Sequence, residues 1–149
     1  MSRYPTSIHR KVAEAHEGRY PFAVLKLKSG WLMVAETQPV DGYCLLFSDP
    51  VVTDLNALNE AQRAQYCLDM IRVGDALLKI KGAARINYET WGNLDPALHT
   101  HIVPRYKTEP EPQRTMPVCK AYDIANARKF DPAREAGFIE ALRDFLLKD

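Results

Sequence analysis

The chain has 149 residues and carries 20 Lys plus Arg against 19 Asp plus Glu, a formal charge of +1. A chain of that length folds as one domain with a real core and needs no disulfide or metal staple, and so even a charge excludes a broad field for holding a nucleic-acid backbone. Three widely spaced cysteines without a CxxC pair, Cys44, Cys67 and Cys119, fit a reducing compartment, and all three read as small apolar residues. The start MSRYPTSIHRK lacks an apolar leader and no run of about 18 apolar residues occurs, so the expectation is a soluble, cytoplasmic protein with no membrane partner.

From Pro5 to His16 (PTSIHRKVAEAH) the pattern predicts a short helix with Thr6 or Ser7 near its start and Gly18 closing it. Phe22 to Lys28 and Trp31 to Thr37 are partly alternating apolar runs separated by Ser29-Gly30, which predicts a hairpin. After the turn Gln38-Pro39-Val40-Asp41-Gly42, the apolar run Tyr43 to Phe47 ends at Ser48-Asp49-Pro50 and predicts a third, largely buried strand.

From Asn59 the period changes. Ala64, Cys67, Leu68, Ile71 and Leu78 fall on one helical face, with Arg63, Asp69 and Arg72 away from it. Asn59 with Gln62 resembles a capping box and Gly82 supplies a left-handed end, so the helix is expected over about 60 to 81. Ala84 to Glu89 and Leu98 to Val103 read as two more antiparallel strands joined by the loop from Trp91 to Pro96.

Between Thr108 and Pro132 the prolines at 110, 112, 117 and 132 are too many for a regular helix or a central strand, so this segment is expected to wrap the surface as an arm. Asp131-Pro132 then opens an amphipathic terminal helix reaching Lys148, with Phe138, Leu142, Phe145 and Leu146 repeating. The expected class is α+β: an antiparallel sheet of about five strands with one long helix packed on it, plus the proline-rich arm and a C-terminal helix. Residues 1–149 are expected to form one domain, its core over about 22–106.

Within "ALHTHIVPR" the side chains of His99 and His101 share one strand face, roughly 6 to 7 Å apart, while Leu98, Thr100 and Ile102 share the other, where Leu98 and Ile102 can pack on the core. Such a pair fits three roles: partly exposed strand residues, metal ligands, or catalysis. A metal site usually needs three or four protein ligands, and His9, His16 and the scattered cysteines show no helpful spacing; Glu36 or Glu89 could complete one, but nothing selects them, so no metal ligand is assigned. Neutral imidazole, by contrast, can attack phosphorus and leave again from a covalent intermediate.

With its flanks, "INYETWGNLDPALHTHIVPRY" resembles the histidine-triad superfamily of nucleotide hydrolases and transferases, whose signature is three histidines alternating with apolar residues, frequently ending in Pro-Arg. Pro104-Arg105 fixes the register. His101 matches the third histidine, His99 the central nucleophile, and Ala97 the place of the first. The upstream stretch Trp31 to Phe47 (WLMVAETQPVDGYCLLF) and the order hairpin, strand, long helix, strand, loop, HxH strand are similar to the family's, so the likeness spans roughly Phe22 to Tyr106. The chain departs at Ala97, at Leu94 where many members have a small hydroxyl residue, and in a phosphate loop one residue shorter.

The resemblance implies a nucleotide hydrolase acting at the α-phosphate of nucleotide conjugates, either dinucleoside polyphosphates or nucleoside phosphoramidates. His99 would form a nucleotidyl-histidine intermediate and His101 would hydrogen-bond a phosphoryl oxygen or the leaving group. Histidine at that last place favours hydrolysis over transfer. Gly92, Asn93 and Leu94 would offer backbone amides to phosphate oxygens, with Asn87 adding a side-chain amide. Glu36 or Thr37 would meet the ribose, and Phe22, Leu32 and Leu45 would line a base slot. Arg105 is read as pairing with an acidic partner outside the site, and Tyr43 and Trp91 as structural aromatics. No cofactor is required, although a divalent metal can accompany the substrate phosphates. The partners implied are a nucleotide and a second copy of the chain, as a two-fold dimer through the long helix and sheet edge. Two other readings stay open: a nucleotide-binding or regulatory protein with little or no turnover, and a metal-dependent hydrolase using the HxH pair.

Overall fold

The Ser29-Gly30 signature becomes a hairpin of β1 (Ala23–Lys26) and β2 (Gly30–Val34) in a computed structural model that describes residues 2–148. With β3 (Cys44–Ser48), β4 (Arg85–Glu89) and β5 (His99–Arg105) these strands form one antiparallel sheet in the order β1-β2-β3-β5-β4. Gly30 is required by its neighbour: a Cβ there would lie 2.0 Å from the Phe47 carbonyl oxygen. β2 ends before the alternation predicts, because the buried Gln38 side chain closes the next loop. Its amide nitrogen donates to the carbonyls of Ala35 and Tyr43, and its oxygen accepts from the amides of Gly42 and Tyr43.

The long helix α2 spans Glu60–Lys81 with the Asn59/Gln62 capping box in place and Gly82 left-handed at its end. Its inner face, however, is the opposite of the predicted one. Tyr66, Val73, Ala76 and Leu77 are buried against the sheet, whereas Ala64, Cys67, Leu68, Ile71 and Leu78 are exposed. Apolar residues occupy both sides of this helix, so periodicity alone did not decide which side the sheet takes. Asp69, expected outside, is buried because it accepts hydrogen bonds from the Ser29 amide and hydroxyl and from the Gln65 side chain. Only Cys44 is a core residue among the three cysteines; Cys67 lies on the outer side of α2 and Cys119 on the surface.

The opposite sheet face carries the histidines and is closed at two ends. Helix α1 (Ser7–His16), capped by the Thr6 hydroxyl, buries Ile8, Val12 and Ala15 in one cluster with Met33, Phe47 and Ala97. At the other end the arm buries Val118 with Ala35, Val40, Tyr43 and Val103. The arm contains two helical turns that its prolines did not predict, a 3-10 turn over Gln113–Thr115 and α3 (Val118–Ala121), which starts directly after Pro117. Its anchor is Arg105, whose guanidinium bonds Glu109, the Asn87 side chain and the carbonyls of Gln113 and Met116.

The chain then pairs Thr37 with Lys129 and crosses to the α2 side, where Phe130 and helix α4 (Ala136–Leu146) complete the main core. That helix starts four residues later than the Asp131-Pro132 signal suggests. Asp131 instead caps an isolated turn through the amides of Ala133 and Arg134. Among the described residues no helix is long and apolar enough to cross a membrane.

Candidate active site

Strand alternation puts His99 and His101 on the same face, and the ladder carries that face across the sheet in rungs: Trp31, Phe47, His99 and then Met33, Leu45, His101, Glu89. Between the two histidines, Thr100 points the other way, fully buried, with its hydroxyl 2.8 Å from the Tyr66 hydroxyl of α2 and 2.7 Å from that of Thr90. That anchor fixes the parity of the strand. Leu98 and Ile102 are buried on the same side, as the pattern predicts.

The imidazoles lie with ring centroids 5.1 Å apart, yet their Nδ1 atoms meet opposite partners. His99 Nδ1 is 2.7 Å from the carbonyl oxygen of Ala97. A carbonyl only accepts, so Nδ1 carries the proton and Nε2 presents a lone pair. His101 Nδ1 is 2.8 Å from the Tyr43 hydroxyl. Burial, and secondarily the neighbouring His99, pushes the His101 pKa down to about 4, so this ring is neutral near pH 7. Neither Nε2 has a hydrogen-bond partner among the described residues.

Ala97, two residues before His99, is completely buried under α1. Its side chain fills part of an apolar cluster and its carbonyl orients the next histidine. Phe47 supports His99 edge-on at 6.2 Å between centroids.

Beside His101 opens a cavity of about 280 Å³ whose walls include Met33, Leu45, Phe47, Tyr20, Glu36 and Ile124. Glu36 accepts from the Tyr20 hydroxyl at 2.7 Å and lies 3.4 Å from the Lys11 ammonium. Burial raises its pKa, but the Tyr20 hydrogen bond and the Lys11 charge outweigh that and hold the carboxyl below its usual range. Thr37 lines the same cavity. Of the expected base slot, Leu45 is present, but Leu32 is buried on the α2 side and Phe22 packs against the core clusters. Met33 stands where Leu32 was expected, one residue along and therefore on the other face.

Gly92, Asn93 and Leu94 form the loop between β4 and β5. Gly92 is left-handed at φ +83°, and the three amides donate no hydrogen bond among the described residues. The Leu94 side chain is 99% exposed, so only its backbone can serve a ligand at the histidines. Asn87 lies elsewhere. Its Oδ1 accepts from Arg105 Nη1 at 2.9 Å, and it lines a larger cleft of about 600 Å³ with Arg85, Glu89 and Arg114 that contains neither histidine. Arg105 forms a buried ion pair with Glu109 at 2.9 Å, as its expected acidic partnership requires.

Sequence reasoning missed Tyr43, Met33, Tyr20 and Lys11 as site residues. A signal for two of them existed: on β2 and β3 the parity that includes Leu45 also includes Met33 and, one step before β3, Tyr43. The contributions from α1 had no signal, since they depend on where that helix docks. Among the described residues no three of His, Cys, Asp and Glu come together to hold a metal ion.

No family model matches the chain and no curated protein does. Solved structures do. A histidine triad protein from Bradyrhizobium japonicum superposes with a TM-score of 0.70 at 27% identity over 82% of this chain and 87% of that one. A histidine triad protein from Marinobacter aquaeolei gives 0.73 at 14% identity over 95% and 96%. A protein from Sulfolobus tokodaii, described as a hypothetical histidine triad nucleotide-binding protein, gives 0.70 at 11% identity over 92% and 91%.

Proposed function

Because the chain belongs to the histidine triad superfamily, we propose that it binds nucleotides and hydrolyses nucleotide conjugates at the α-phosphate through a covalent intermediate on His99. The observation that carries the reading is the 2.7 Å contact from His99 Nδ1 to the Ala97 carbonyl, which leaves the Nε2 lone pair as a fixed nucleophile that needs no base to deprotonate it. The name of the Sulfolobus tokodaii neighbour supports the nucleotide as ligand.

In this reading the nucleoside occupies the cavity of about 280 Å³, with its base against Met33, Leu45 and Phe47 and its ribose near Glu36. The phosphates lie by the free amides of the 92–94 loop. His99 Nε2 bonds to phosphorus as the bond to the leaving group breaks, and the resulting imidazolium keeps its Nδ1 proton on the Ala97 carbonyl. Water then attacks phosphorus, the pair returns to Nε2, and one proton passes to solvent. These steps call for no cofactor; a divalent ion would enter with the substrate phosphates.

The test pairs calorimetry with AMP and a turnover assay on dinucleoside polyphosphates and nucleoside phosphoramidates. The wild type should bind and turn over, and His99→Ala should retain binding while losing at least about 1,000-fold in rate. Binding without wild-type turnover would replace this reading with that of a nucleotide-binding module.

The same reading includes a homodimer. Leu68, Ile71 and Leu78 are 53%, 48% and 40% exposed on the outer side of α2, and β4 is an edge strand of the sheet. Gly74 lets Tyr88 of β4 close onto the helix, since a Cβ there would meet the Tyr88 hydroxyl at 1.9 Å. Helix and edge strand thus form one face suited to a second copy. Sedimentation should show a dimer that Leu68→Glu with Ile71→Glu dissociates; a wild-type monomer at micromolar concentration would remove the dimer.

A further inference from the structure

Tyr43 stands just before β3, with its ring 5.8 Å from that of His101 and nearly perpendicular to it, and its hydroxyl 2.8 Å from His101 Nδ1. It is 4% exposed, lies in the cluster with Val103 and Val118 of the arm, and borders the cavity beside His101. His101 is the one hydrogen-bond partner of the Tyr43 hydroxyl among the described residues. Burial drives the Tyr43 hydroxyl pKa far upward, which keeps the phenol protonated, and donating to Nδ1 is the arrangement that leaves no buried hydroxyl proton unpaired.

Resting on the hydrolase reading above, we propose that Tyr43 is a positioning residue that donates to His101 Nδ1 and holds His101 as the neutral Nε2–H tautomer, a hydrogen-bond donor to the departing group and not an acid. The two neighbouring rings are then held in opposite tautomers. His99, tied to a carbonyl, offers a lone pair from Nε2, and His101, tied to a phenol, offers a proton for hydrogen bonding from Nε2.

This arrangement selects the leaving group. When the leaving atom is a phosphate oxygen, the P–N bond to His99 forms, the P–O bond breaks, and the electron pair departs on an oxyanion that the His101 Nε2–H stabilises without giving up its proton. An amine must instead be protonated as the P–N bond breaks. His101 has no proton to spare: losing Nε2–H would leave an imidazolate, or a phenolate if the Tyr43 proton followed. The site therefore favours phosphoanhydrides, such as dinucleoside polyphosphates, over phosphoramidates with amine leaving groups.

Two readouts test this, one independent of turnover. Nitrogen-15 NMR of the wild-type histidines should show His101 protonated at Nε2 only, and Tyr43→Phe, which removes one oxygen and keeps the ring, should shift it toward a mixture of tautomers. Finding His101 protonated at Nδ1 in the wild type, or unchanged in Tyr43→Phe, would overturn the proposal even if the protein hydrolyses nucleotides. In steady state, Tyr43→Phe should lower kcat on a dinucleoside polyphosphate about tenfold or more with KM within about twofold. The wild type should prefer that substrate to an adenosine phosphoramidate by at least about tenfold in kcat/KM, and an equal or reversed preference would also overturn it. No turnover of either substrate would overturn the hydrolase reading while leaving the tautomer result to stand or fall by NMR.

Discussion

The two ends of the histidine face are built from opposite materials. At the α1 end, Ala97 is sealed in an apolar cluster and a backbone carbonyl holds His99. At the arm end, a phenol holds His101, and behind it a buried guanidinium gathers the arm through one carboxylate, one amide side chain and two carbonyls. Backbone geometry fixes the first histidine whatever side chain occupies position 97. The second depends on a polar side chain, and that dependence makes the arm end the more tunable of the two.

Breaking the arm end should have the largest effect on stability. Arg105→Ala would leave the Glu109 carboxylate buried with only the Tyr122 hydroxyl and the Tyr106 amide as donors, at a cost of about 3–5 kcal/mol. In the wild type, burial raises the Glu109 pKa, but these bonds, led by that of Arg105, outweigh it and hold the carboxyl below its usual range. Denaturant unfolding checks the cost, and hydrogen exchange should show the loss concentrated in residues 107–122. A cost below about 1 kcal/mol would mean that the ion pair does not organise the arm.

The α1 end answers to a change of size. Placing a histidine where the sequence resemblance aligns the first one, with Ala97→His, would push a ring into the closed cluster of Ile8, Val12, Met33 and Phe47, costing about 1–3 kcal/mol of overpacking. Turnover should not rise, because the carbonyl that orients His99 is already in place. A variant as stable as the wild type and faster would show that the cluster yields and that the missing histidine limits the chemistry.

A last effect, spread over a pH window, sharpens the contrast. His101 titrates near 4 when folded against an ordinary value near 6.5, so between these values the unfolded chain binds more protons than the native one. The stabilisation from keeping His101 neutral is fully present above about pH 6.5 and is lost as pH falls toward 4, at most about 3 kcal/mol in all. The stability difference between wild type and His101→Gln should therefore change across that window and be flat above it. A flat difference throughout would mean that His101 is solvated like a surface residue.

Much of this face was legible in the sequence because strand parity and helix caps are local. The HxH spacing, the buried Leu98 and Ile102, the capping box at Asn59 and the α2 boundaries all depend on residues close in the chain. The inner side of α2 was not legible, because Leu68 and Ile71 are as apolar as Val73 and Leu77 and only the sheet's position chooses between them. Tyr43 reads as a structural aromatic until β3 is placed beside β5, 58 residues away. The partner of Asn87 was not legible, since the same amide that suits a phosphate also suits Arg105, which it meets here. The burial of Ala97 needed the docking of α1, which rests on a thin apolar stripe of Ile8, Val12 and Ala15.

In the proposed reaction His99 Nε2 becomes bonded to phosphorus. Rapid acid-free quenching of the wild type with a dinucleoside polyphosphate, followed by peptide mass spectrometry, should find a nucleotidyl group on His99 at the Nε2 atom that the Ala97 carbonyl leaves free. Sustained wild-type turnover with no adduct on any histidine, or with the adduct on His101, would contradict it.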